Sequence, residues 1–172
     1  MDTYVVLLRG INVGGKNLLP MEKLKHLLNM AGFDHVKTYI QSGNVVLTSV
    51  DNPASHIERL IEAECGFRPE VLAFLKENFN RAAVNNPYQS HNGSLVHFFF
   101  CKETPKPDPA AMTQYAADSE SYQLIDQVFY LHAPDGIGRS KLVKHVEACV
   151  GVRTTGRNLN TIRKIQALMG GD

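Results

Sequence analysis

Four short segments of the chain carry residue types that could do chemistry. The first, Arg9 to Asn17 (RGINVGGKN), combines an arginine, a lysine, two asparagines and three glycines. Gly10-x-x-x-x-Gly15-Lys16 matches the first seven positions of a phosphate-binding P-loop, whose backbone N–H groups cradle phosphate while the lysine reaches it. The eighth position of that motif is Ser or Thr, which sets a hydroxyl on magnesium, and here it is Asn17. Pro20 also delays the following helix by four residues, so the nucleotidase reading fails. A weaker chemistry survives. Arg9, Asn12, Gly14, Gly15, Lys16 and Asn17 could form a backbone nest with side-chain donors, which suits an anion. The plainer alternative is that Gly14-Gly15 shapes a turn and Arg9 pairs with a carboxylate.

The second segment gathers Tyr39, Gln41, Ser42 and Asn44 around Ser42-Gly43, either as ligand donors or as ordinary turn chemistry. The third is Gly136-Ile137-Gly138-Arg139-Ser140-Lys141. Ser140 suits a helix N-cap, yet Arg139 and Lys141 stand beside the positive end of that helix. An anion bound there would explain them, as would bridges to carboxylates elsewhere. The fourth, Thr154-Thr155-Gly156-Arg157-Asn158, offers hydroxyls, a glycine, an arginine and a cap before the last helix. None of the four contains a nucleophile–base pair. The seven histidines show no metal-ligand spacing, and no nucleophile elbow or cysteine signature occurs, so neither a metal nor a cofactor is expected.

These segments must be positioned by a scaffold, and the apolar pattern describes one. Tyr4–Leu8 is a continuous apolar run, as in a strand covered on both faces. Met21, Leu24, Leu27, Leu28 and Ala31 form one helical stripe after Pro20, with Gly32 as the stop. Residues 35–41 and 44–48 read as a hairpin, followed by a helix through Ile57, Leu60 and Ile61 that Gly66 ends. Asp51 or Asn52 is its expected cap, with Pro53 in the first turn. A strand over 69–75 and a helix over 76–84 follow. The second half repeats the order: a strand over 95–101, a helix over 109–117 and strands over 121–125 and 128–132. A helix over 141–150, a short strand over 152–154 and a helix over 158–169 complete it.

Two successive β-α-β-β-α-β orders predict an α+β protein of two tandem ferredoxin-like subdomains packed together, each with a trailing helix. The polar, turn-rich stretch 87–93 sets the expected division at residues 1–87 and 88–172. Phe98, Phe100 and Phe129 are expected to fill the core, since the basic-aromatic signature of RNA-recognition sheets is missing.

At 172 residues with 44% hydrophobic and 20% charged side chains, the chain has the composition of a folded globular protein. No apolar run reaches a membrane span and no leader-like segment precedes the first strand, so the cytoplasm is the expected location and no membrane partner is expected. Three distant cysteines suit packed thiols better than a disulfide frame. Net charge is +1, but residues 139–172 hold 7 basic and 2 acidic side chains against 11 and 15 in residues 1–138. A basic tail on an acidic body is a footprint for an anionic partner, or a solvated helical face.

With LLRGINVGGKN, TYIQSGNVVL, DGIGRSKL and TTGRNLNTIRKI in this order, the chain resembles the bacterial family catalogued as the domain of unknown function numbered 1697. The likeness spans essentially the whole sequence. Gly156 and Leu159 depart from the family pattern, which more often reads TTRNWNT in the fourth motif. The resemblance implies a small cytoplasmic α/β protein with two similar subdomains, and carries no established activity, cofactor or catalytic residue. The leading expectation is a module binding a phosphorylated or other anionic ligand, nucleic acid included. The alternatives are an enzyme acting on a small phosphorylated substrate between the subdomains, or a structural, oligomerising protein with no ligand. The sequence leaves the oligomeric state open.

Overall fold

The computed structural model describes residues 1–170. Their order is β1 (Asp2–Arg9), α1 (Met21–Met30), β2 (Asp34–Tyr39), β3 (Asn44–Ser49), α2 (Ala54–Cys65), β4 (Glu70–Leu75) and α3 (Lys76–Val84). There follow β5 (Val96–Cys101), α4 (Pro109–Tyr115), β6 (Ser121–Ile125), β7 (Val128–His132), α5 (Lys141–Lys144), α6 (Val146–Val150), β8 (Thr154–Asn158) and α7 (Leu159–Gly170). The result is a mixed α+β protein with two four-stranded antiparallel sheets.

In the first sheet the strand order is β2-β3-β1-β4. Central β1 has Val5 to Leu8 fully buried, whichever face each residue points to, as its unbroken apolar run requires. Tyr4, Val6 and Leu8 share a core with Val45, Leu47 and Val71 from the neighbouring strands, and with Leu24, Leu28, Ile57 and Ile61 from α1 and α2. Pro20 and Pro53 each stand just ahead of the helix that follows, and the Asn52 side chain accepts a hydrogen bond from Ala54 N at 3.0 Å. Gly66 ends α2 with φ +80°, which a glycine adopts without a Cβ clash.

The second sheet has the order β6-β7-β5-β8. Phe99, Cys101, Phe129 and Leu131 face Met112, Leu142, Val146 and Cys149 of the helices. Phe98, Phe100 and Tyr130 alternate to the other face and are buried as well. The expected helix over 141–150 is two short pieces broken at His145, whose φ of −114° and ψ of 14° leave the helical region. The expected strand over 152–154 runs instead over Thr154–Asn158, because these residues pair one by one with His97–Cys101 of β5. A segment read as a glycine-bearing loop is therefore an edge strand.

Two compact units divide the chain: residues 1–81 with 164–170, and residues 82–163. The sequence pattern places the division after Pro87. Within the first unit, Lys37 donates to the Leu168 carbonyl at 3.2 Å and Gln166 donates to the Asn80 side chain at 3.0 Å, which fixes the distal part of α7 there. Within the second, Tyr130 OH donates to the Ala82 carbonyl at 2.6 Å and Arg163 to the Gln89 carbonyl at 2.9 Å. No helix among the described residues is long and apolar enough to cross a membrane.

Candidate ligand-binding site

Two of the four segments meet at one end of the first sheet. β1 leaves the sheet there at Arg9, and β2 turns into β3 there, since Asn44 pairs with both Leu7 and Tyr39. Asn12 joins them. Its Nδ2 donates to the Leu19 carbonyl (2.9 Å), the Gln41 carbonyl (2.9 Å) and Gln41 Oε1 (3.2 Å), while its Oδ1 accepts from Leu19 N at 2.7 Å. Asparagine suits this clamp twice: its amide both donates and accepts, and it tolerates the φ of +54° found here. Asn17 closes the loop from the other side, donating from Nδ2 to the Gly10 carbonyl at 3.0 Å and accepting at its carbonyl from Asn12 N, also at 3.0 Å.

Inside that closed loop lies a smaller turn. Lys16 N donates to the Val13 carbonyl at 3.0 Å, and Gly14 and Gly15 between them have φ of +59° and +74°. Two central residues with positive φ mark the turn of a two-residue hairpin, which explains why two glycines stand there. They make a turn and not a P-loop cradle. Among the described residues, neither the Gly14 nor the Gly15 N–H reaches an acceptor, and Lys16 Nζ has no partner. Arg9, by contrast, pairs with Glu70 at 3.3 Å across the β1–β4 register, as its plainer reading held.

The hairpin is knit as tightly. Asn44 Nδ2 donates to the Tyr39 carbonyl (2.9 Å) and Ser42 Oγ (3.1 Å), and Leu8 N donates to the Gly43 carbonyl (2.9 Å). A Cβ on Gly43 would sit 2.8 Å from Ile11 Cδ1 and 2.9 Å from Leu8 Cβ, so the backbone approach there depends on glycine. Ile40 holds φ +46° while 46% exposed, an unfavourable conformation for a β-branched residue. Val13 and Leu18, on the adjoining loop, are 64% and 66% exposed. The tip therefore presents a lysine and two glycine N–H groups beside aliphatic side chains.

In the second unit the other two segments have different surroundings. Ser140 Oγ caps α5 by accepting from Val143 N at 3.1 Å and donates to Glu120 Oε2 at 2.7 Å. Glu120 also accepts from Ala117 N at 2.8 Å, and Ser119 Oγ donates to Asp135 Oδ2 at 2.7 Å. Both carboxylates line one depression of about 520 Å³ with Arg139 and Ser140. Negative charge thus comes to Ser140 from the chain itself, while among the described residues neither Arg139 nor Lys141 is paired with a carboxylate. Sequence reasoning missed Glu120 and Asp135, since nothing in their local pattern announces serine partners twenty and sixteen residues away.

Thr154, Thr155 and Arg157 are buried on β8. Arg157 donates to the Gly156 carbonyl at 2.8 Å, and loss of hydration on burial pulls its pKa down to about 10. Thr155 Oγ1 is buried with no hydrogen-bond partner among the described residues. Asn158 caps α7 through Oδ1, which accepts from Thr161 N at 2.9 Å. Thr154 pairs with Cys101 and Asn158 with His97, so the candidate residues of β8 are strung along the strand instead of gathered at one end. Among the described residues no group of three or more His, Cys, Asp or Glu side chains could hold a metal ion.

A family model described as a protein of unknown function (DUF1697) matches residues 1–130. A solved structure, that of the conserved bacterial protein SP0830 from Streptococcus pneumoniae, is similar with a TM-score of 0.74 and 26% identity, covering 98% of each chain. No curated protein matches.

Proposed function

The chain belongs to the family of unknown function DUF1697, and on that premise we propose that it is a binding module for a phosphorylated or other anionic ligand, nucleic acid included. The ligand engages the first unit at the Gly14–Lys16 turn. One observation carries this reading: at the end of β1, the asparagine side chains hold the loop and hairpin together, whereas the Gly14 and Gly15 N–H groups and Lys16 Nζ have no acceptor among the described residues. Backbone N–H groups beside an ammonium suit phosphate or carboxylate oxygens, and a turn fixed by Asn12 and Asn17 loses little conformational freedom on binding.

Of the four segments first singled out, this turn and its supporting hairpin have the strongest case. Arg139, Ser140 and Lys141 have the weaker one, because Ser140 is already engaged with Glu120 and with the Val143 N–H, and two carboxylates line the depression beside Arg139. Thr154, Thr155, Arg157 and Asn158 act mainly in the fold. The scaffold we infer is a tandem of two ferredoxin-like βαββαβ subdomains arisen by duplication, each with a trailing helix. In its support, β2-β3-β1-β4 and β6-β7-β5-β8 are the same order once the second set is renumbered.

Anisotropy of a labelled single-stranded oligonucleotide at low salt, run against inorganic phosphate as competitor, tests the reading. Affinity is expected to fall with salt at a log–log slope of about −0.7 per phosphate neutralised. Lys16→Ala is expected to weaken binding while leaving the fold intact. Binding absent at low salt removes the nucleic-acid form of the proposal, and failure of phosphate to bind removes the rest.

A further inference from the structure

His91 stacks on His132 with ring centroids 3.9 Å apart and planes 21° from parallel. Tyr88 completes a triangle of rings, 6.4 Å from His91 and 6.1 Å from His132. Two of the rings belong to residues 87–93, the polar stretch Pro-Tyr-Gln-Ser-His-Asn-Gly, while His132 stands on β7 opposite Ser121 of β6 and Val96 of β5. Further fastenings are the 2.6 Å bond from Tyr130 OH to the Ala82 carbonyl and the 2.9 Å bond from Arg163 to the Gln89 carbonyl, while the 2.9 Å bond from Tyr88 N to Asn86 Oδ1 shapes the turn within the segment. We propose that this stack is an acid-labile clasp, which holds residues 82–93 on the second sheet while the His132 imidazole is neutral and lets 87–93 lift away when it takes a proton.

The chemistry follows from what surrounds the rings. The titratable groups there are Tyr88 on the segment itself, Tyr130 and His132 on β7, and Arg163 on α7; β5 and β6 contribute the uncharged Val96, Ser121 and Gln123. Among the described residues no carboxylate pairs with either imidazole. A proton added to His132 therefore has no counter-charge, and faces the His91 ring at 3.9 Å. Burial, and then the neighbouring His91, hold the His132 pKa below the ordinary imidazole value of 6.5. The sign is thus fixed: the detached segment binds protons more readily than the docked one. The stabilisation is fully present above the ordinary value and is lost as pH falls through it toward the lower, docked value.

Amide hydrogen exchange on the full chain, corrected for intrinsic rates and compared at neutral and mildly acid pH, tests the clasp. Protection of the amides of residues 88–93 is expected to fall roughly threefold or more beyond any change in β5 and β7. His132→Phe keeps a ring in the stack but cannot take a proton there, and is expected to flatten that response. Protection that stays constant or rises on acidification overturns the proposal, as does a fall no larger than that of β5 and β7. A response that survives in His132→Phe overturns it too.

Discussion

Replacing Asn12 by alanine tests the claim that one amide joins the β1–α1 loop to the hairpin. Leu19 is fully buried, and its N–H loses an acceptor held at 2.7 Å. An unpaired buried donor of this kind costs about 1–3 kcal/mol. Losing the donor to the part-buried Leu19 carbonyl adds about 0.5–1 kcal/mol, and the exposed Gln41 contacts add about nothing. Alanine at φ +54° contributes about 1 kcal/mol more. The sum is about 2.5–5 kcal/mol, or roughly a hundredfold to a few thousandfold loss of protection. Exchange of the Val5 and Leu7 amides, fully buried on β1, reads the first unit directly. Asn12→Gly relieves the backbone strain alone and should recover about 1 kcal/mol of the loss. A cost below about 0.5 kcal/mol for Asn12→Ala refutes the clamp, because even one orphaned buried donor exceeds it.

Ile40→Gly should stabilise the first unit by about 1 kcal/mol in thermal unfolding, since it relieves a positive φ at a half-exposed side chain. Arg157→Ala should cost about 2 kcal/mol or more through lost packing and hydrogen bonding at a buried strand position, whereas Arg9→Ala should cost at most about 1 kcal/mol, its pair with Glu70 being partly solvated. Thermal melts of both variants check this, and equal losses would mean that Arg9 matters more to the fold than its geometry implies. His97 is buried, its Nε2 has no partner among the described residues, and burial holds its pKa below 6.5. Its neutral form thus stabilises the second unit above that value, and the contribution disappears as pH falls below it; denaturant titrations at several pH values with His97→Gln as control would detect the trend. Iodoacetamide should label half-buried Cys65 in the native chain before Cys101, whose thiol burial pushes up to about 11, and before buried Cys149, as peptide mass mapping would record.

Local pattern was enough for the elements that depend on local pattern. The unbroken Tyr4–Leu8 run, the helical stripe before Gly32 and the positive-φ stop at Gly66 were each legible, because strand burial and helix termination leave marks within a few residues. The break at His145 and the strand at Thr154–Asn158 were not. An edge strand takes its conformation from its partner, and β5 lies more than fifty residues earlier. For the candidate site, residue types were legible and their partners were not. Gly14-Gly15 announced a tight turn, yet only the fold tells that Asn12 reaches Gln41 or that Glu120 meets Ser140. The stack of His91 on His132 is likewise invisible to spacing, since forty-one positions separate rings 3.9 Å apart.

Whether the Gly14–Lys16 turn receives an anion is read from an NMR titration of amide resonances with inorganic phosphate and with a short single-stranded oligonucleotide. The Gly14, Gly15 and Lys16 amides are expected to move first and saturate, and Lys16→Ala is expected to weaken the response without disturbing the Asn12 and Asn17 side-chain amides. Shifts confined to the Ser140–Val143 helix start, or no saturable shift at the turn, would contradict binding there.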